Sequence, residues 1–282
     1  MTQSTSSESG TPPDAAHASA TGLRWRGWRH AVLALFALAS TALVSSPNNA
    51  SDIVPGQCDV PAEMLGSPYA LQRTEAKLRS GEPLNIVALG SSSTAGAGAS
   101  SIVYSYPSQL EDELQRLFPR STITVLNRGV SGQDVGDMLK RLSTDALDQK
   151  PDLIIWQTGT NSALRHANIE EFAADLERGV AAVQTARIDL MLMGPQFAPK
   201  VEAIEERKQF MDRIAAVANT HRVPFFPRYE VMRHWIDSGQ FQMSSMINVD
   251  GLHMTDDSYT CLGQLAARMI SNLSVGVATS AR

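Results

Sequence analysis

The sequence is poor in cysteine, in long apolar runs and in clustered metal ligands. Two cysteines in 282 residues are far too few for a disulfide-stapled small scaffold. There is no uninterrupted apolar run of about 18 residues, so no segment reads outright as a membrane span. No group of His, Cys or carboxylate residues has metal-ligand spacing. Charge of one sign is also missing in bulk: 24 basic against 29 acidic residues leave a net charge of −5. No extended Lys/Arg stretch offers a nucleic-acid footprint, which sets that partner class aside. With 43% hydrophobic and 19% charged residues, the chain is too apolar and too evenly mixed to be a disordered acidic polymer.

The first fifty residues read differently from the rest. Residues 1–22 are mostly small or polar. Arg24, Arg26 and Arg29 then form a basic patch, followed by Ala31 to Val44, dominated by Ala, Leu and Val. Basic, then apolar, then small and polar is the order of an export signal, and a signal anchor is the other reading. Cleavage is expected after Ala42 or Ala50. The expected organisation is a leader over 1–50, a strap over 51–83 and a folded domain over 84–282. The leader carries a charge of +1 and the remainder −6. About 230 exported residues are enough for one sizeable core. Export makes the protein periplasmic or secreted, touching a membrane only through an uncleaved N-terminal segment. Cys58 and Cys261 both lie in that part. In an oxidising compartment they are most simply one disulfide, tying the strap to the last helix; two separate buried thiols are the alternative.

Strand and helix alternate along the domain. Leu84–Gly90, Ser121–Asn127, Asp152–Thr158, Ile188–Gly194 and Val223–Phe226 read as strands. Pro107–Phe118, Gln133–Leu147, Ile169–Ala186, Val201–His221 and Asp256–Leu273 read as helices. Nearly continuous apolar strands fit a sheet covered on both faces. The expected fold class is α/β: a three-layer α/β/α sandwich with a five-stranded parallel sheet. In such sheets functional residues gather in loops at the carboxyl ends of the strands.

Four of those loops carry matching chemistry. After the first strand, Gly90-Ser91-Ser92-Ser93-Thr94-Ala95-Gly96 presents hydroxyls and backbone N–H groups at a sharp turn. That suits a nucleophile or, equally, a phosphate cradle. Asn127-Arg128-Gly129-Val130-Ser131-Gly132 follows the second strand. Gly159-Thr160-Asn161-Ser162 follows the third and puts an amide at the same rim. Val249-Asp250-Gly251-Leu252-His253 precedes the last helix. Asp and His three apart allow a carboxylate to hold one imidazole nitrogen while the other faces the cleft. Of the other five histidines, His17 and His30 lie in the leader, and His166, His221 and His234 have no carboxylate so placed. Gly194–Pro199, after the fourth strand, is expected to shape the pocket.

This ordered set resembles the SGNH/GDSL hydrolase family: a Ser after the first strand, a Gly after the second, an Asn after the third, and a C-terminal Asp-x-x-His. The matching residues are Ser92 in ALGSSSTAG, Gly132 in NRGVSGQ, Asn161 in TGTNS, and Asp250 and His253 in VDGLH. The likeness covers roughly residues 84–273. It departs from the family pattern at Ser91, where Asp is usual, and at Ser162, where Asp often stands. Ser92 fits the usual spacing, with Ser91 as the fallback. The resemblance implies a flavodoxin-like fold and a cofactor-free serine esterase. Ser92 would attack an acyl carbonyl, His253 would act as base and Asp250 as its orienter. The Ser92 and Gly132 N–H groups and the Asn161 amide would form the oxyanion hole. Small acyl groups on carbohydrate or small ester substrates are the preferred substrate class. Alternatives are a lipase or thioesterase of the same family, a non-enzymatic flavodoxin-like domain binding phosphate or flavin, and an inactive carbohydrate-binding relative.

Overall fold

A computed structural model describes residues 56–275; the leader expected over 1–50, and with it the reading of export or anchoring, lies outside the described residues. The strap contains a short 3₁₀ turn, Ala62–Leu65, and a helix, α1 (Gln72–Ser80), closed by Gly81 in the left-handed region at φ 75°. Strand β1 (Leu84–Gly90) leads into α2 (Ser92–Ala95) and α3 (Tyr106–Leu117). Strand β2 (Ile123–Gly129) is followed by α4 (Val135–Lys140) and α5 (Leu142–Asp145). Strand β3 (Leu153–Gln157) is followed by α6 (Thr160–Leu164) and α7 (Ile169–Thr185). Strand β4 (Asp189–Met193) is followed by α8 (Pro199–Glu202) and α9 (Arg207–His221). Strand β5 (Phe225–Phe226) leads into α10 (Arg228–Asp237), α11 (Met243–Met246) and α12 (Asp256–Val275).

The five strands form one parallel sheet in the order β2-β1-β3-β4-β5. Successive strand residues point to opposite faces. On one face Ile86, Ala88, Ile155 and Met193 join a core with residues of α3, α10 and α12, including Tyr106, Trp235 and Leu262. On the other, Val87, Leu89, Ile154 and Trp156 pack with residues of α4, α7 and α9 such as Met138, Leu176 and Ile214. This is the three-layer α/β/α arrangement expected from the apolar strands. Cys58 and Cys261 are bonded to each other and lie in the first of these cores, joining the strap to α12.

Several boundaries differ from the sequence reading, each for a local reason. The single helix expected over Gln133–Leu147 is two short helices. Asp134 caps the first, accepting the Asp137 N–H at 3.0 Å, so the helix cannot begin at Gln133. The helix expected over Val201–His221 is interrupted after Glu202 and resumes at Arg207, with Ile204 buried between. Asn127, Arg128 and Gly129 are not loop residues, because β2 stays in register with β1 as far as Gly129. The fifth strand shrinks to two residues, since Pro224 has no N–H for a ladder. Helix α10 was not expected, though Val231, Met232 and Trp235 on its buried side have helical spacing.

Candidate active site

The site begins where β1 ends. Gly90 has no room for a side chain: a Cβ there would sit 2.0 Å from Thr94 Oγ1 and 2.9 Å from Gln157 Oε1. The chain therefore turns tightly into α2, whose first residue is Ser92. A first helical residue has no intrahelical acceptor for its N–H, so that donor faces outward.

The three consecutive serines separate by burial and partner. Ser91 is buried, and both its N–H (2.9 Å) and its hydroxyl (3.0 Å) donate to Gln157 Oε1. Ser93 is buried as well, beside Tyr259. Ser92 alone of the three is partly open, and its Oγ lies 2.9 Å from His253 Nε2. Of the two candidates, it is Ser92 and not the fallback Ser91 that reaches His253. The Ser91 and Thr94 hydroxyls are taken up in the interior by Gln157 and Tyr106. Ser91, which stands where the resemblance expects Asp, anchors the turn through Gln157, a residue the sequence reading did not single out.

The second half of the site is built by Asp250. Its Oδ1 accepts the N–H groups of Leu252 (2.9 Å) and His253 (3.0 Å), and its Oδ2 lies 2.5 Å from His253 Nδ1. Desolvation pushes the Asp250 carboxyl up. The two backbone donors and the His253 side chain outweigh it together and hold the group down at about 2. An ionised carboxylate at Nδ1 places the ring proton there and leaves Nε2 free to accept the Ser92 proton. Asn248, also missed in the sequence, fixes this loop to the serine loop. Its Nδ2 donates to Gly98 O at 3.0 Å and Met254 O at 2.8 Å, and its N–H to His253 O at 2.8 Å.

The loop after β2 runs beside the same turn. Val130 N donates to Gly90 O, and Arg141 reaches Gly90 O, Arg128 O and the Gln133 side chain. Gly132 needs its glycine for backbone angle, with φ 80°, and not for space, since a Cβ there would meet nothing within 4 Å. Arg165 holds the Gly132 carbonyl at 2.6 Å. Asn161 Nδ2 donates to Gln133 O at 2.8 Å, which brings the Asn161 amide to the Gly132 loop and leaves its second amide proton for another acceptor. The loop Gly194–Pro199 is turned mostly inward, and Gln196 in it is 1% exposed. A groove of about 680 Å³ beside Arg207, Tyr229 and His234 contains none of the Ser92, Asp250 and His253 set, so concavity alone would not find this site.

The family model of the non-GDSL lipase-like family matches residues 57–274. An arylesterase from Vibrio mimicus is 26% identical over 184 residues, covering 65% of this chain and 86% of that protein. An acetylxylan esterase from Geobacillus stearothermophilus is 30% identical over 92 residues, 29% of this chain and 42% of that protein. A two-domain esterase active on acetylated mannans shares the fold, with a TM-score of 0.64 and 20% identity over 77% of this chain and 58% of that one. The chain therefore spans less than two thirds of the xylan and mannan esterases that it resembles. A serine hydrogen-bonded to an Asp-held histidine at the carboxyl edge of a parallel sheet, and a family match over most of the chain, lead to one conclusion: the chain belongs to the non-GDSL lipase-like family and is a carboxylic ester hydrolase of the SGNH/GDSL kind.

Proposed function

We propose that Ser92, His253 and Asp250 are the nucleophile, base and orienter of a serine esterase that removes acetyl-sized groups from carbohydrate. The observation that carries the chemistry is His253, with one ring nitrogen against Asp250 and the other 2.9 Å from Ser92 Oγ. His253 takes the Ser92 proton as Oγ attacks the acyl carbonyl, then returns it to the departing alcohol. The tetrahedral oxyanion receives hydrogen bonds from the Ser92 and Gly132 N–H groups and the free Asn161 amide proton. Water then attacks the acyl-enzyme, with the same imidazole as base.

The carbohydrate part rests on the likeness to the acetylxylan esterase and to the fold of the mannan esterase. A second reading, with a longer acyl chain or apolar alcohol, is favoured by one observation. Val130 (41% exposed) stands two residues from Gly132, and Val249, fully exposed, adjoins Asp250. A chain-length series of p-nitrophenyl esters, run beside acetylated xylan and acetylated peptidoglycan, separates the two. Acetyl release from polymer with a falling rate beyond short acyl chains supports the first reading; a preference for long chains overturns it.

The leader over 1–50 is proposed to export the domain to the periplasm or beyond, with or without cleavage, and membrane contact is confined to that segment. The Cys58–Cys261 bond is consistent with an oxidising compartment. The mass of the mature chain tests cleavage.

A further inference from the structure

A buried cation lies beneath the loops of the site. Arg228, the first residue of α10, is fully buried; its Nε donates to Gly194 O at 2.9 Å and its Nη2 to Gln196 Oε1 at 2.7 Å. Its Nη1 is buried with no partner. Burial lowers its pKa to about 10, which leaves it charged at neutral pH. An interior guanidinium with an unmatched nitrogen costs stability.

Its partner Gln196 is a junction. Besides Arg228, Oε1 accepts the hydroxyl of Thr160 at 2.8 Å, and Nε2 donates to Leu252 O at 3.2 Å. Thr160 precedes Asn161, and Leu252 precedes His253. One buried amide therefore joins the loop of the oxyanion donor to the loop of the base. Its sense matters, because reversing it would set nitrogen against Arg228 and oxygen against the Leu252 carbonyl. A guanidinium only donates, so Arg228 demands the oxygen. The Thr160 hydroxyl serves either sense and cannot discriminate. Without Arg228 only the 3.2 Å bond to Leu252 would hold the amide the right way round.

We propose that Arg228 is a positioning residue for ester hydrolysis: by fixing the orientation of the Gln196 amide, it keeps Asn161 and His253 in register with Ser92. The proposal rests on the catalytic reading above. It acts on the reacting groups and not on substrate affinity, so its signature is in kcat.

The test measures p-nitrophenyl acetate hydrolysis and Tm on the full chain for Arg228→Met, Gln196→Met, their double variant and Arg228→Lys. Each Met variant should lose about 10- to 100-fold in kcat, the scale of a small misplacement at a reacting centre. KM should stay within about twofold. Because Arg228 acts through Gln196, the double variant should be no slower than Gln196→Met alone, whereas independent roles would multiply the two losses. Arg228→Lys, which can still donate to the amide oxygen, should recover part of the rate. A wild-type kcat for Arg228→Met, or multiplying losses in the double variant, overturns the proposal. If Arg228→Met does not fold, Arg228→Lys is compared in the native and Gln196→Met backgrounds: a loss seen only in the native background supports the proposal, and equal losses in both overturn it. Ser92→Ala run alongside must be inactive; if it is active, the catalytic reading fails instead.

Discussion

Replacing Gly129 with alanine would push directly on the turn that carries Ser92, the proposed nucleophile. Gly129 ends β2, and a Cβ added there would lie 2.1 Å from Ala95 N, 2.6 Å from Ala95 Cα and 2.6 Å from Thr94 C. These are backbone atoms of α2, so no rotamer can relieve the clash. Ordinary contact begins at 3.4 Å, so strand and helix must part by roughly 1 Å. They are also tied, since Asn127 Nδ2 donates to Thr94 O at 2.7 Å and Val130 N to Gly90 O at 3.0 Å. Overpacking of this kind costs about 1–3 kcal/mol. For a domain of this size that lowers Tm by about 2–12 °C. A displacement near 1 Å at Ser92 should cost about 10²-fold in kcat. Gly132→Ala is the matched contrast. It has open space but a φ of 80°, so it should strain only its own loop, lowering kcat with a smaller change in Tm. Calorimetry and p-nitrophenyl acetate kinetics read both. Wild-type Tm and kcat for Gly129→Ala would refute the claim that β2 sets the position of α2.

Asp250→Asn should keep the fold and lower kcat by about 10⁴, because the amide favours the wrong imidazole tautomer; steady-state kinetics checks it. Asp250 is held below its ordinary value of 3.8, at about 2, so its contribution to stability is complete above about pH 4 and is lost as pH falls toward 2. Acid unfolding curves of native and Asp250→Asn proteins should therefore converge over that interval, with a small gap above it because the side chain is 42% exposed. Asn161→Ala should cost about 10²–10³ in kcat if, as proposed, one oxyanion donor is lost, and should loosen the Gln133 carbonyl it now holds. Removing both Cys58 and Cys261 opens a link across 203 residues, worth up to about 5 kcal/mol by chain entropy, and should lower Tm sharply while leaving the kcat of the folded fraction unchanged.

The sheet was legible because its strands are apolar on both faces, as in Leu-Ile-Ile-Trp over 153–156, where every side chain is buried. Ser92, Asn161, Asp250 and His253 could be picked out as candidates because their residue types sit at loop positions the alternation predicts. Gly132 could be read as a turn, though its need for positive φ required coordinates. What could not be read were groups whose importance depends on distant partners. Gln157 looks like an ordinary strand end until Ser91 is seen to donate twice to it. Asn248 bonds residues on two loops, and Arg141 spans the ends of two strands. Arg228 and Gln196 meet across 32 residues of chain, and local pattern carries no trace of that pairing. The α10 periodicity was visible in principle, but Arg228 at its buried side breaks the apolar stripe by which such helices are recognised.

The central claim is that Ser92, and neither of its neighbours, forms the covalent acyl intermediate. The most direct measurement is tandem mass spectrometry of the protein after reaction with an acyl-mimicking fluorophosphonate. The label should fall on Ser92 with one equivalent bound, and Ser92→Ala should bind none and hydrolyse no ester. Labelling of Ser91 or Ser93, or ester turnover by a folded Ser92→Ala protein, would contradict the account.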